Sequence, residues 1–496
     1  MGDKSYVMDV RLKKEYADGY MGNVEAGPGT NNRYKLKLLG MKFSEKERFG
    51  LYANINNLND NQKVLLDGEW HPQDLPNGLL ATKAVGLQYV NWLNGIDSWV
   101  STGAEYSHTS ANNETRQSTE TFLPNGNSTQ NSVSKELGST DKLSFQNGLQ
   151  FENEKAGTTH FLTLNYTHTS GHNHSLVQTS DSSSLLNQAL AEGSNDLKNF
   201  NFKWESHNMV KVLNIDLLRL DLSAQYDWLK KETFALNNIN YLNDASLRDY
   251  RNTYLDAPHQ NIELDASLGY DWRYKKKTVT PYYKYNYTFN KTNNLLYRLD
   301  KLADRDSSRF DLLPSDRDEL VNVADEGNSY RFHEYRNEHT VGLRYFDAYS
   351  KLTKGEVIIN LPLRTISANL YYERMGRHDV SRQRTFFEPS MDIKGEFKQG
   401  FGWSLATSMK SKLPDLTTMV EYTDDSDPLN IKQGNPSLQA IHLYSASANI
   451  DRWSDNGRHL GFWTDWHQTD NAVAWAVNFD NETGVTTTTP VSINGN

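Results

Sequence analysis

Three imidazoles, His168, His172 and His174, crowd into the run HTSGHNHS, and that spacing would suit zinc or copper. Neither a carboxylate nor a cysteine completes a coordination set nearby in the sequence. Polar histidines at the start of a long connection are therefore the expected state, and no metal is assigned. Asp424, Asp425 and Asp427, with Asn430, make an oxygen-rich run of the kind that can hold calcium. They lack the spacing and the glycine of an EF-hand loop, which leaves a solvated turn. Asp304, Asp306, Asp311, Asp316 and Asp318 interleave with Arg305, Arg309 and Arg317 in the longest connection, which reads as a soluble, partly helical cap. Such a cap is also a surface that a rigid scaffold can hold toward a ligand. Catalysis has no comparable footing. G-x-S-x-G, H-E-x-x-H and G-x-x-x-x-G-K-[ST] are absent, so no catalytic residue or cofactor is assigned and no enzyme is expected. The Asn-x-Ser/Thr sites at Asn165, Asn286 and Asn481 carry no further reading.

The elements that would position these residues announce themselves by alternation. In 218–228 the residues Leu218, Leu220, Leu222, Ala224, Tyr226 and Trp228 alternate with Arg219, Asp221, Ser223, Gln225 and Asp227. In 262–273 the residues Ile262, Leu264, Ala266, Leu268, Tyr270 and Trp272 alternate with Glu263, Asp265, Ser267, Gly269, Asp271 and Arg273. Successive strand side chains point to opposite faces, so each run has one oily face and one wet, charged face. The pattern recurs along the chain and predicts about 18 strands, many of them more than twice the roughly 5–6 residues usual in soluble folds. Short connections at 44–47, 94–97, 154–157, 275–277 and 454–457 alternate with long ones at 58–83, 111–140, 169–196, 233–259, 292–333 and 412–436. Trp92, Trp99, Trp272, Tyr274, Trp403 and Trp453 gather beside the short ones, as aromatic rings do at a lipid–water boundary.

Composition agrees. The 496 residues are only 37% hydrophobic, with mean hydropathy −0.74, yet carry 27 Tyr, 19 Phe and 11 Trp, too many aromatics for a disordered chain. A barrel with a polar lumen is ordered without a large oily interior. An Arg or Lys at mid-bilayer costs about 2–4 kcal/mol, and the apolar parity of both runs holds no charge. The expected fold is therefore an all-β, transmembrane, antiparallel up-and-down β-barrel with long extracellular loops and short periplasmic turns. There is no cysteine for disulfides or thiolate metal sites, and no apolar run long enough for a spanning helix. The opening MGDKSYVMDV has no apolar signal core, so an exported barrel of this sequence is expected to be a piece of a longer product. A net charge of −10 with both signs dispersed excludes nucleic acid as the expected partner.

Two stretches resemble TonB-dependent receptors of the Bacteroidetes type. In 7–38, Met8, Val10, Leu12, Lys13 and Lys14 precede the Gly-aromatic-x-Gly step Gly19-Tyr20-Met21-Gly22, similar to the junction between plug and barrel in that family. Later, FFEPSMDIKGEF (386–397) and LPDLTTMVEYTDDSDPLNIKQGNPSLQA (413–440), with Pro389-Ser390 and Gly434-Asn435-Pro436, look like its late-barrel segment, and 67–87 also reads like this subgroup. The resemblance implies that 1–14 end a plug domain and that 15–496 form a barrel of about 18 of the family's 22 strands, cut short at the C-terminus. It implies a place in the bacterial outer membrane and energised uptake of an unassigned extracellular nutrient. The partners it implies are outer-membrane lipid, the plug and the TonB energising complex of the full-length protein, with a surface lipoprotein for glycan or peptide capture. An adhesive or structural barrel that transports nothing is the alternative.

Overall fold

The computed structural model describes residues 18–64, 70–71, 78–93, 97–121, 128–180, 184–213, 215–241, 248–302, 309–349, 354–397, 401–424, 430–453, 458–479 and 486–495. The expected plug junction (Met8, Val10, Leu12, Lys13, Lys14), together with Asp304, Arg305, Asp306, Asp425, Asp427 and Asn481, lies outside the described residues. The chain is nearly all β, with 81% strand and 3% helix, and its strands join in one large antiparallel sheet. No described helix is long and apolar enough to cross a membrane.

In chain order the strands begin with β1 (Gly19–Pro28), β2 (Tyr34–Phe43), β3 (Glu47–Asn56), β4 (Lys63–Val64), β5 (Trp70–His71), β6 (Leu79–Trp92), β7 (Trp99–Thr121) and β8 (Ser128–Glu152). There follow β9 (Ala156–Ser180), β10 (Leu185–Val212), β11 (Asp216–Tyr241), β12 (Arg248–Asp256), β13 (His259–Tyr274), β14 (Lys277–Arg298), β15 (Tyr330–Tyr349) and β16 (Lys354–Glu373). The last are β17 (Arg377–Phe387), β18 (Ser390–Phe397), β19 (Phe401–Lys412), β20 (Thr423–Asp424), β21 (Asn430–Gln433), β22 (Ile441–Trp453), β23 (His459–Phe479) and β24 (Thr486–Gly495).

Both β12 and β13 pair with β14, and both β17 and β18 pair with β16. Each couple is one strand broken at a proline, Pro258 or Pro389, which has no N–H for the ladder. Counted so, and with the short β4, β5, β20 and β21 set aside, the described residues form 18 long strands.

Three of the expected long connections are corrected. Most of 111–140, 169–196 and 233–259 is strand, belonging to β7 through β13. Polar residues occupy both faces there, so the alternation fades while the backbone keeps pairing; β7 and β8 stay in register from Trp99↔Gln150 to Thr121↔Ser128. The long excursions that remain join β3 to β6, β14 to β15 and β19 to β22. The tight turns are built as their residues require. Asn153 Oδ1 accepts the N–H groups of Lys155 and Ala156 at 2.9 Å, Ser44 Oγ accepts that of Glu47 at 3.0 Å, and Lys275 takes φ +54°.

By compactness the chain divides into two units. One comprises Met1–Glu152, Thr159–Phe202 and Thr233–Asn252; the other comprises Asn153–Thr158, Lys203–Glu232 and Thr253–Asn496. In the first, β1, β2, β3, β6, β7 and β8 pair in sequence, and the connection after β3 folds back onto the face bearing Leu39, Met41 and Tyr52, burying Val64 and Trp70 against them. Lys37 is buried there. Its Nζ lies 2.6 Å from Asp60 and from Gln62 Oε1, and 4.4 Å from the centre of the Trp70 ring. Burial works to raise the Asp60 carboxyl, but the Lys37 ammonium, the Gln62 N–H and the Asn54 amide together hold it below the usual range. A depressed folded pKa means the clamp contributes fully at neutral pH and is lost as pH falls through that value, below about 4. The protection factor of the Gln62 amide, its exchange rate relative to the free peptide at the same pH, should therefore fall in acid in the natural chain, whereas Asp60→Asn should lower that protection already at neutral pH and leave little further dependence on acid.

In the second unit β11, β13, β14, β15, β16, β18, β19, β22 and β23 pair in sequence. Register places uncharged rows across them: Leu220 beside Leu268, Tyr283, Val341, Leu363 and Phe387, and, further along β16 on the same parity, Val357 beside Ile393, Leu405, Ala448 and Thr464. From 218 to 228 on β11, 262 to 274 on β13, 279 to 289 on β14, 335 to 345 on β15 and 357 to 371 on β16, this face carries no Asp, Glu, Lys or Arg. Leu220, Leu264, Val341 and Leu363 are exposed on it, and Trp272 is 64% exposed while its neighbour Asp271, on the other face, is completely buried.

The opposite face is polar and cross-linked. Asp271 accepts Arg219 Nε at 3.0 Å and Thr280 Oγ1 at 2.7 Å. Ser223 and Asn286 donate to Asp265 at 2.8 and 2.7 Å. The Tyr282 ring lies over Gly342 and its hydroxyl donates to Asn360 Oδ1 at 2.8 Å. The first unit repeats the device, with Tyr52 lying over Gly86 and donating to Glu105 at 2.6 Å. A Cβ at either glycine would fall on the ring, so a glycine is what lets a tyrosine span two strands.

Candidate functional site

A cavity of about 740 Å³ opens on the polar face of the second unit, beside the long connections that follow β14 and β19. Even-numbered residues of three strands point into it: Thr288 and Asn290 from β14, Tyr330, Phe332, Glu334 and Arg336 from β15, and Tyr372 from β16, with Arg374 just past its end. Leu413, Asp415, Thr417, Tyr422 and Asp424, from the chain after β19, make the facing wall, with Glu263 and Lys432 at its margins.

That wall is held by packing and by caps. Leu416, Met419, Val420 and Leu438 are buried against Ile366, Ala368, Leu370, Tyr372, Val380 and Phe386. Asp415 accepts the Thr417 N–H at 2.9 Å and so starts the 3-10 turn Leu416–Met419. Asn435 donates its N–H to the Thr418 carbonyl at 2.8 Å and its side-chain amide to the Pro490 carbonyl at 2.8 Å. At the base Arg364 donates to Glu388 at 2.7 and 3.0 Å, to Glu338 at 2.9 Å and to the Ser411 carbonyl.

Four rings give the cavity its character. Tyr330, Phe332 and Tyr372 lie within 13–17° of parallel, with centroids 5.8–6.3 Å apart, and Tyr422 joins Tyr372 at 6.3 Å and 27°. Arg374 covers Tyr422 at 5.4 Å, donates to the Gly327 carbonyl at 2.7 Å and pairs with Asp424 at 3.2 Å. Burial pushes the Tyr422 phenol above its ordinary range, so it stays a neutral hydroxyl at physiological pH. Arg336 has Glu334 at 3.7 Å and Glu338 at 3.9 Å. The cavity thus presents ring faces, hydroxyls, an amide and carboxylates, with two of its cations, Arg336 and Arg374, already matched by acids.

The residues singled out by sequence fall elsewhere, with two exceptions. Glu263 reaches the margin of the cavity, and Asp424 lies within it, bound to Arg374 rather than to a cation. His168 and His174 are in β9, not in a loop, and the partners their sequence neighbourhood lacked come from β10. His168 Nε2 lies 2.8 Å from Asp196, which Lys198 also approaches at 3.2 Å, and His174 Nδ1 lies 3.3 Å from Glu192. His172 lines a separate shallow hollow with Ser170 and Gly171. Among the described residues no three His, Asp or Glu side chains are grouped to hold a metal ion. Asp311 pairs with Arg309 at 3.1 Å and Asp316 caps the turn Arg317–Val323 by accepting the Asp318 N–H, so the helical part of this connection takes the form of 3-10 turns.

Tyr330, Phe332 and Tyr372 were missed. The alternation that places the other strands begins in β15 only near residue 334, and an aromatic on the wet parity has no sequence mark that separates it from one on the oily parity. The sequence matches no protein-family model and no curated protein. Fold and geometry are therefore what define the chain: antiparallel sheet which, in the second unit, has an exposed, uncharged face over five neighbouring strands and a cavity on its polar side.

Proposed function

We propose that this chain is the barrel wall of a bacterial outer-membrane receptor of the TonB-dependent kind, which captures an extracellular nutrient for energised uptake. The observation that carries the reading is the exposed apolar face of β11 and β13 through β16, which is free of charge over five neighbouring strands. In water such a face is an aggregation hazard, whereas against acyl chains it is the low-energy surface. In this reading the sheet closes into a barrel with the band outward and the Asp271, Arg364 and Glu388 side inward. A plug supplied by the longer protein fills the lumen. The long connections and the cavity face the medium, and the tight turns face the periplasm.

The absence of cysteine makes the test clean. Single Cys replacements of the exposed Asp318, in the β14–β15 connection, and of the exposed Lys275, in the β13–β14 turn, give one thiol each. In intact cells an impermeant maleimide should label Asp318→Cys and spare Lys275→Cys until the outer membrane is permeabilised. Equal labelling of both, or recovery of the chain outside the outer-membrane fraction, would remove the receptor reading. Uptake that persists after the proton gradient is collapsed would leave a barrel without energised transport.

A further inference from the structure

We infer that the basic surface around Tyr282, on the polar face of the second unit, docks an acidic, extended stretch of polypeptide. The receptor reading supplies a source for that stretch, the plug, and the inference rests on it for that alone. Two hollows meet there, of about 400 and 370 Å³, with Tyr282, Lys284, Asn360 and Ser390 as their common wall.

Charge sets the sign of the partner. The chain carries a net charge of −10, yet Arg219, Lys284, Arg344, Arg364 and Lys410 line the two hollows against Asp221 and Glu388. Both acids are already held, Asp221 at 2.9 Å from His207, and Glu388 by Arg364 and the Ser411 N–H. Arg219 and Arg364 are held in turn, the first by Asp271, the second by Glu338 and Glu388. Lys284, Arg344 and Lys410 remain. All three are exposed, and no described carboxylate pairs with any of them. A neighbouring hollow that Lys284 also borders contains Glu205, Asp221, Asp265 and Glu338. Each of these has its own donor, Lys203, His207, Ser223 and Arg364 respectively. Three unmatched cations on one surface draw an anionic partner.

Spacing sets its shape. Lys284 is on β14, Arg344 on β15 and Lys410 on β19, and pairing runs from β14 through β15, β16 and β18 to β19. Four steps of about 4.8 Å spread the charges over roughly 19 Å, too far for a single phosphate or carboxylate to balance them. An extended chain rises about 3.3 Å per residue, so about six residues cover that span, with every second side chain toward the sheet. The surface between the cations is neutral. Asn360, Ser390 and Ser408 are cross-strand neighbours in register, and their amide and hydroxyl groups suit the backbone of a peptide lying across them.

The experiment is fluorescence anisotropy of labelled hexaglutamate titrated with the purified chain in an amine oxide detergent, uncharged at neutral pH. Triglutamate, hexaserine and inorganic phosphate are the comparison probes. Hexaglutamate should bind at about 0.1 mM or tighter. Raising salt from about 50 to about 500 mM should weaken it about tenfold. Triglutamate should bind about tenfold more weakly, hexaserine and phosphate not at all. Lys284→Gln, Arg344→Gln and Lys410→Gln should each weaken hexaglutamate about threefold and the triple variant about thirtyfold, with Lys275→Gln unchanged. Heat-modifiable migration on gels reports whether each variant is folded. Lysine acetylation read by mass spectrometry needs no variant: bound hexaglutamate must shield Lys284 and Lys410 and leave Lys275 reactive. The inference is overturned if hexaglutamate does not bind, if the triple variant binds it as well as the natural chain does, or if the shielding falls elsewhere. It is overturned equally if triglutamate or phosphate binds as tightly as hexaglutamate, which would make this a simple anion site. Correct cysteine labelling with no peptide bound sinks this inference and spares the receptor reading. Peptide bound at these lysines by a chain whose cysteines label equally keeps the docking surface and removes the plug as its source.

Discussion

Val341→Arg is expected to stop the chain from folding stably into lipid vesicles, while Thr340→Arg, one residue away, is expected to fold nearly as well as the natural sequence. Val341 is 62% exposed, and its cross-strand neighbours are Tyr283 and Leu363, themselves exposed and uncharged. On a soluble protein a Val→Arg change at so open a position is worth within about 0.5 kcal/mol. At the middle of a bilayer it costs about 2–4 kcal/mol, and near either interface about 0–1. Thr340 faces the polar side, in register with Lys284 and Arg364 and beside Asn286 and Glu338. Like charges directly opposite cost about 0.2–1 kcal/mol each, a penalty that Glu338 and water offset and that stays below the mid-bilayer figure. Tyr345→Arg, two residues from Asp347 near a chain reversal, should fall between the two. Urea unfolding from vesicles, with folded chain read by heat-modifiable migration, measures all three variants. A flat result, with Val341→Arg as mild as Thr340→Arg, would mean that the face meets water and that the barrel reading is wrong.

That face was legible in the sequence because its cause is local. A strand with one apolar and one polar face must alternate, and Leu218 to Trp228 and Ile262 to Trp272 do so without a break. The strand count was legible for the same reason, since each alternating run is one long strand. Strand length was not. Toward its end β7 carries polar residues on both faces, so Asn112 to Thr121 pairs with Ser128 to Leu137 while its side chains carry no period. The cavity was hidden for a further reason. Tyr330, Phe332 and Tyr372 become a site only when the chain after β19 folds across them, and that contact joins residues about 40 positions apart or more. The histidine pairs were hidden likewise, because Asp196 and Glu192 come from the next strand. Gly86 and Gly342 look like weak points in their strands until the tyrosines that cross them are known.

Arg364 should be the most damaging single position on the polar face. Its guanidinium holds Glu388 by two hydrogen bonds and Glu338 by one, and a further N–H reaches the Ser411 carbonyl, just before the wall of the cavity. Both acids are more than four-fifths buried. Arg364→Ala leaves two carboxylates close together with their shared cation removed, and loss of one partner from a buried ion pair costs about 3–5 kcal/mol. The effect should reach the cavity, because Glu388 also accepts the Ser411 N–H at 2.7 Å and Ser411 leads directly into Leu413 and Asp415. Trypsin should then cut at the exposed Lys412, a site that the packed wall protects in the natural chain. The cause can be separated from simple loss of volume. Arg364→Met with Glu338→Gln and Glu388→Gln removes all three charges while keeping their bulk, and should recover most of the stability lost in Arg364→Ala. If the triple variant is as unstable as the single one, the guanidinium lying over the Phe386 ring, rather than the matched charges, is what holds this face together.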